Sequence, residues 1–437
     1  MLSLKNLADA FDQGRKQFHN LMSSRDSWEY EVKEHYDGGH DNAKPVNRLV
    51  KSDNLTYMKY LIKEKKMAGK IKLIYLDPPF FSNAKYQSSV QLQSDKVGKS
   101  RLYKVPAYDD RWSDGLAEYL TMLTVRLMLM KELLSDKGSI WVHLDWHGVH
   151  YVKIIMDQVF GEKNFINEVI WTYKSGGSNK KSFSRKHDNL LLYSKSSKYD
   201  FNLLREKSYN RELKPYRFKG VKEYEDEKGW YTVVNMKDVW SIDMVGRTSK
   251  ERTGYATQKP EKLIGRILEA SSNEGDICAD FFSGSGTFGC VCSRMNRQWI
   301  MCDSGGPAIS DAVWRLSGQE GCFEVSFNGK GTEPWFGVGS LSWKLDKDLM
   351  VLQEYKLNEQ YIPVKEAEEM TGYLEKDSLS LIKLWSIDMN YDGQVHRPDI
   401  ILTKGQRSAI CSGKKGSARI HVAGYDVFGN RFEGSEE

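Results

Sequence analysis

Short apolar runs that halt at an aspartate, with helical stretches between them, constrain this chain more than any other feature. Residues 71–76, Ile-Lys-Leu-Ile-Tyr-Leu, stop at Asp77 and two prolines. Residues 139–144 stop at Asp145, and residues 297–302 at Asp303. A run from Asp276 to Phe282 opens into Ser283-Gly-Ser-Gly-Thr287. Each run has the length of a buried strand, and proline cannot continue one. Between them, Leu116, Leu120, Leu123, Leu127 and Leu134 recur at helical spacing behind Asp114, a capping residue. A second helix spans Val149 to Phe160 before Gly161, and Pro260 stands at a first helical position ahead of Leu263, Ile264, Ile267 and Leu268. Alternation of this kind predicts an α/β fold with a mainly parallel sheet.

At about 150 residues per domain, a chain of 437 residues holds two or three. The boundaries expected are a polar, helical segment over 1–46, an α/β part over 47–173, an insert over 174–250, a second α/β part over 251–320, and a β-rich domain over 321–437. Residues 82–110 lack periodicity and read as a long loop. With 40% apolar and 28% charged residues the composition excludes a largely disordered chain. No run approaches the roughly 18 apolar residues of a membrane span, and no cationic leader is visible, so a cytoplasmic protein is expected. The six cysteines include no CxxC spacing, so neither a metal site nor a disulfide framework is expected.

Charge is unevenly placed. Residues 174–250 carry 18 Lys and Arg against 10 Asp and Glu, a net +8, while the whole chain is only +5. The same segment is dense in aromatics, among them Phe183, Tyr193, Tyr209, Tyr224, Tyr231 and Trp240. A basic, aromatic insert on an otherwise slightly acidic chain points to a polyanionic partner.

Two constellations carry chemistry. In Asp280-Phe-Phe-Ser-Gly-Ser-Gly-Thr-Phe-Gly289 a strand opens into a glycine turn and then a helix. Glycines admit close backbone approach, and a helix N-terminus offers free amides. Asp303, ending the next strand, is placed to accept hydrogen bonds from ribose hydroxyls. Gly284, Gly286 and Gly289 also satisfy GxGxxG, so this turn alone leaves a dinucleotide and another adenosine cofactor both open. In Asp77-Pro78-Pro79-Phe80 a carboxylate, an open carbonyl and an aromatic face lie side by side. That set suits a planar base bearing an amino group, which must leave a duplex to reach it.

Taken together these motifs resemble the amino-methylating, S-adenosylmethionine-dependent DNA methyltransferases of the β-type motif order, most of all the modification (Mod) subunits of type III restriction systems. In that family the DPPY-type tetrapeptide precedes the target-recognition region, and the cofactor's glycine loop follows it. Lys131-Glu-Leu-Leu-Ser-Asp-Lys-Gly-Ser-Ile140, Phe160-Gly-Glu-Lys-Asn-Phe165 and Phe183-Ser-Arg-Lys-His-Asp188 add to the likeness, which covers residues 45–305. It implies a Rossmann-like methyltransferase sheet, with 47–173 as its catalytic half, 174–250 as target-recognition module and 251–320 as cofactor half.

By the same resemblance, Asp77, Pro78, Pro79 and Phe80 hold the target amine and base. Asp280, Phe282, Ser283, Gly284, Ser285, Gly286, Thr287 and Asp303 hold S-adenosylmethionine, with Thr257-Gln258-Lys259-Pro260 at its methionine end. Asp53 matches an aspartate on the cofactor side, although Ser52 stands where the family has glycine. Trp146, after Asp145, stands where the family often has a small or acidic residue. Lys180, Lys181, Arg185 and Lys186 are expected at DNA phosphates. Aspartate at the head of the tetrapeptide favours adenine, and the absence of Pro-Cys argues against methylation at a ring carbon. The implied substrate is double-stranded DNA with a flipped adenine. Alternatives left open are the cytosine amine, RNA, an NAD-dependent oxidoreductase built on the glycine turn, and a catalytically silent DNA-binding subunit. The β-rich domain is open to dimerisation, DNA binding or docking of a restriction subunit.

Overall fold

The computed structural model describes residues 4–37, 46–94, 96, 98–174, 180–319, 321–329, 338–358, 362, 367–412 and 419–437. Helix α1 (Leu4–Ser23) leads into strands β1 (Tyr30–Tyr36) and β2 (Asn47–Lys51), helix α2 (Asn54–Lys63) and strand β3 (Ile71–Leu76). Strands β4 (Lys85–Ser94) and β5 (Gly98–Asp109) precede α3 (Gly115–Leu133), β6 (Leu134–Leu144), α4 (Val149–Phe160), β7 (Phe165–Thr172) and β8 (His187–Ser194). Next come β9 (Arg205–Tyr209), β10 (Glu223–Asp226), β11 (Gly229–Asn235) and β12 (Val239–Ser241). The α/β pattern then resumes with α5 (Glu261–Ser271), β13 (Ile277–Asp280), α6 (Thr287–Arg294), β14 (Gln298–Asp303), α7 (Gly306–Ser317) and β15 (Phe323–Asn328).

Ten strands make the main sheet, in the order β1-β15-β2-β14-β13-β3-β6-β8-β7-β12. From β15 to β6 every neighbouring pair is parallel. Strand β3 is buried at every residue, as a strand covered by helices on both faces must be. Because β14, β13, β3 and β6 run the same way, Asp303, Asp280, Asp77 and Asp145 all emerge at one edge. That carboxyl edge is where open α/β sheets bind ligands.

Several expectations are corrected. The stretch 1–46 is not helical throughout: β1 pairs with β15, because alternate residues Glu34 and Tyr36 turn into the interior. Residues 82–110 form the β4–β5 hairpin rather than a loop. Its Leu92, Tyr103 and Val105 pack into the core of the C-terminal domain, and that burial supplies what the sequence's weak periodicity hides. The segment 174–250 contributes to the main sheet before any insert begins. Strand β8 is inserted between β6 and β7, since Leu190, Leu191, Leu192 and Tyr193 are apolar on both faces. The part that stands apart is the small antiparallel sheet β10-β11-β9. Residues 175–179, near the start of the 174–250 segment, lie outside the described residues. Within 321–437, β15 belongs to the main sheet, and a separate seven-stranded sheet takes over from Gly339.

One buried ion pair fastens this C-terminal sheet to the N-terminal strand. Arg431 Nε lies 2.6 Å from Glu34 Oε1, with both side chains 1% exposed. The hydroxyls of Tyr36 and Tyr425 donate to the other oxygen of Glu34, each at 2.9 Å.

Candidate active site

The carboxyl edge of β14, β13 and β3 opens onto a cavity of about 440 Å³. The base of the β4–β5 hairpin covers it, with the rings of Tyr86 and Tyr108 stacked 4.6 Å apart. All four residues Asp77, Pro78, Pro79 and Phe80 line the cavity, as do Thr257, Gln258, Lys259, Asp280, Phe282, Ser283, Gly284, Ser285, Thr287 and Asp303. Three expected cofactor residues do not line it. Pro260 is the N-cap of α5. Gly286 shapes the turn from behind, at φ +76°. Asp53 caps α2, accepting from the Leu55 amide at 3.2 Å, and pairs with Arg126 at 3.0 Å. Its carboxylate thus serves the fold.

The glycine turn is shaped for close approach. Gly284 has φ +48°, and a Cβ there would stand 3.2 Å from the Tyr255 ring. A Cβ on Gly286 would meet the Cβ of Ala312 at 2.8 Å. Helix α6 starts directly after, so its first amides face the turn. Asp303 is aimed by two backbone amides, Gly284 at 2.9 Å and Gly305 at 2.8 Å. Burial raises its carboxyl, against those two amides. Burial likewise pushes Asp280 well above the usual range, opposed by the Phe282 amide and reinforced by the Asp77 and Asp303 carboxylates. A cluster of buried carboxylates this close favours a ligand that brings donors or positive charge.

Asp77 has two distinct oxygens. Oδ2 accepts from Lys259 Nζ at 2.5 Å. Oδ1 is buried and has no hydrogen-bond partner among the described residues. Ser283 Oγ is in the same condition. Lys259, expected at the cofactor's methionine end, reaches Asp77 and stands 5.3 Å from the centroid of Phe80. Gln258 braces its own loop, accepting from Thr253 N at 2.9 Å and donating to the Glu251 carbonyl at 2.6 Å.

Behind Asp77 lies a polar group that sequence reasoning missed. His143, on β6, is fully buried. Its Nε2 is 3.1 Å from Asp188 on β8, and its Nδ1 is 2.8 Å from the Tyr75 hydroxyl. Tyr173 donates to the second oxygen of Asp188 at 2.9 Å. The available signal was a histidine and an aspartate inside otherwise apolar runs. Burial lifts Asp188, yet its hydrogen bond with His143, the nearby Lys259 and the Tyr173 hydroxyl hold it below the ordinary carboxylate value.

Among the expected DNA contacts, Lys180, Lys181 and Arg185 are exposed and Lys186 is half-buried. Arg185 lies over the ring of Trp146, 3.9 Å from its centroid, and Trp146 follows Asp145 at the sheet's carboxyl edge. The structure therefore brings Arg185 to the active edge.

Comparisons with known proteins agree with this geometry. Residues 71–312 match the model of a family described as DNA methylase. Type II methyltransferase M.EcaI of Enterobacter cloacae is 29% identical over 317 residues, 59% of this chain and 66% of that protein. M.HpaI of Haemophilus parainfluenzae is 32% identical over 193 residues, 44% and 57% of the two chains. The chain thus spans less than two thirds of the length of either. M2.DpnII of Streptococcus pneumoniae is 28% identical over 273 residues, 62% and 90%. Among solved structures, the M1.HpyAVI–SAM complex is a loose match, with a TM-score of 0.40 and 16% identity over 62% of this chain and 98% of that one.

Proposed function

Since this chain belongs to the DNA methylase family, we propose that it transfers a methyl group from S-adenosylmethionine to the N6 amine of an adenine flipped out of double-stranded DNA. The observation that carries this reading is Asp77, whose Oδ1 is a buried acceptor without a donor among the described residues and which lines one cavity with Phe80 and the glycine turn. The residues present fit the cofactor. Asp303 is aimed to take ribose hydroxyls, the 283–287 turn offers backbone amides, and Ser283, which lines the same cavity, has a buried hydroxyl with no hydrogen-bond partner among the described residues. When bound, S-adenosylmethionine supplies a methyl group on a positively charged sulfur. The chain's own part is to bind and orient the acceptor. Asp77 Oδ1 and the Pro78 carbonyl accept the two amine hydrogens, which draws the nitrogen lone pair out of conjugation with the ring. Phe80 stacks on the base. Catalysis then comes from proximity and fixed charge rather than from a covalent intermediate.

Aspartate at the head of the tetrapeptide supports adenine over cytosine. Membership in a methylase family argues against the oxidoreductase reading of the glycine turn. Arg185 at the active edge, with Lys180 and Lys181 exposed nearby, supports contact with the phosphate backbone. The test is incubation of the purified chain with unmethylated genomic DNA and S-adenosylmethionine, followed by nucleoside mass spectrometry. N6-methyladenine is the expected product. N4-methylcytosine would keep the transfer and overturn the base. No methylated nucleoside would overturn the reading.

A further inference from the structure

Methylation of an amine releases a proton. Nitrogen's lone pair forms the new N–C bond, and the methyl's old bond breaks with its electron pair kept by the donor. The nitrogen, now positive, must lose one hydrogen as a proton, with the N–H pair returning to nitrogen. Asp77 Oδ1 is placed to take it first. It is a buried carboxylate oxygen, so a proton held there must be passed on before the next cycle. The neighbour available to it is His143, whose Nδ1 stands 3.8 Å from Oδ1.

We infer that His143, backed by Asp188, receives the proton that the target amine loses, through Asp77. The inference rests on the methyltransferase reading above. Its basis is the arrangement of the four groups around the imidazole. Tyr75 is held far above its usual value, by burial first and then by the Asp77, Asp280 and Asp188 carboxylates, so it stays a hydroxyl. The Asp188 carboxylate can only accept, so Nε2, 3.1 Å away, carries the imidazole proton, and Nδ1 of the neutral ring accepts from the Tyr75 hydroxyl at 2.8 Å. The neutral ring thus has its accepting nitrogen on the Asp77 side and a carboxylate on the other. On taking the proton, Nδ1 becomes a donor and the Tyr75 hydroxyl oxygen or Asp77 becomes its acceptor. Asp188 stabilises the imidazolium across Nε2 and then takes the Nε2 proton on; its side chain is 13% exposed where His143 is 0%, so the proton leaves to solvent from Asp188, whose other oxygen accepts from Tyr173 at 2.9 Å. The Lys259 ammonium, 2.5 Å from Asp77 Oδ2, keeps the other Asp77 oxygen engaged and so directs the proton to Oδ1. The rings of Phe80 and Trp171, 5.6 Å and 5.3 Å from the imidazole, complete the enclosure without titrating. His143 touches no substrate and acts through Asp77.

Three variants test it: His143→Asn, Asp188→Asn and Tyr75→Phe. Single-turnover methyl transfer is followed against pH, and S-adenosylmethionine binding is measured by calorimetry. The wild-type rate should rise with pH and then level off, since the relay needs Nδ1 free to accept. His143→Asn should abolish that limb and lower the plateau by about 100-fold, the lower bound for a lost acid–base group. Cofactor affinity should stay within about two-fold. Asp188→Asn should move the limb to lower pH, because the imidazolium loses its carboxylate. Tyr75→Phe keeps the ring and opens no cavity, so it covers the case in which the other two fail to fold. It should move the limb to higher pH, since the neutral ring loses the hydroxyl that stabilises it. An unchanged pH profile in folded His143→Asn, or in Tyr75→Phe, would overturn the relay while leaving the methyltransferase reading standing. A wild-type protein that methylates no DNA would overturn both.

Discussion

Lys259 Nζ lies 2.5 Å from Asp77 Oδ2, and the opposite oxygen of the same carboxylate has no hydrogen-bond partner among the described residues. The two residues are far apart in sequence: Asp77 directly follows β3, and Lys259 lies in the loop two residues ahead of α5. The ion pair divides the carboxylate into a held oxygen and an offered one. A carboxylate free to rotate would present either oxygen to an incoming amine. The pair removes that freedom before substrate arrives, as preorganisation requires.

Lys259→Met should therefore act on turnover. Loss of one hydrogen bond to a charged group corresponds to a single-turnover rate lower by about 10- to 100-fold. Cofactor affinity, measured by calorimetry, should change little. The reverse pattern, weak cofactor binding with an intact rate, would return Lys259 to the cofactor's methionine end, where its place in Thr257-Gln258-Lys259-Pro260 first put it.

Gly286→Ala tests the turn. The position has φ +76°, and the added methyl would meet Ala312 Cβ at 2.8 Å and its Cα at 2.9 Å. Both atoms are fixed to the α7 backbone, so the turn must shift. A non-glycine residue held in such a conformation costs about 1–3 kcal/mol. A lower thermal midpoint and weaker S-adenosylmethionine binding are expected together. Gly289→Ala should be milder, because the atom nearest its added Cβ, at 2.5 Å, is the Met301 Cε at the end of a flexible side chain.

The sheet centre was legible because its strands are local and apolar. Residues 71–76 and the helix Val149–Phe160 have the bounds read from the sequence. The four aspartates at the strand ends could be placed together for the same reason, since parallel strands share one carboxyl edge. What escaped was decided by distant partners. Strand β1 is polar enough to read as solvent-facing until β15 pairs with it. The hairpin at 85–109 owes its inward face to a domain that begins some way past residue 320. Strand β8 hides inside the basic segment, where counting charges conceals Leu190-Leu191-Leu192. Asp53 has the residue type of a cofactor ligand, yet an adjacent helix start and Arg126 claim it. His143 and Asp188 could not be paired from sequence, because strands β6 and β8 meet only in the folded sheet.

Arg431→Met should separate the C-terminal sheet from the rest energetically. The guanidinium and Glu34 are both 1% exposed, so removing one leaves the other charged and buried. Breaking a buried pair from one side costs about 3–5 kcal/mol. Urea unfolding should show the loss, with an early transition in the C-terminal sheet. The double variant Arg431→Met with Glu34→Gln should recover part of it, since no lone charge then remains inside.

Asp426 gives the same domain a pH dependence. Burial raises its carboxyl from 3.8 to about 6, although the Asn430 side chain and amide, the Tyr355 hydroxyl and the Phe428 amide all favour the ionised form. The folded chain thus holds this proton more tightly than the unfolded chain does. The stability it contributes is complete below the unfolded value and is lost as pH rises through about 6. Of the effect of this shift, about 2 kcal/mol falls between pH 4 and pH 7. Asp426→Asn removes the titration while keeping a group able to accept from Tyr355. The unfolding free energy of the wild type, measured relative to this variant, should fall by up to that amount across the interval. A constant difference between the two proteins over the same pH range would show that Asp426 does not titrate there.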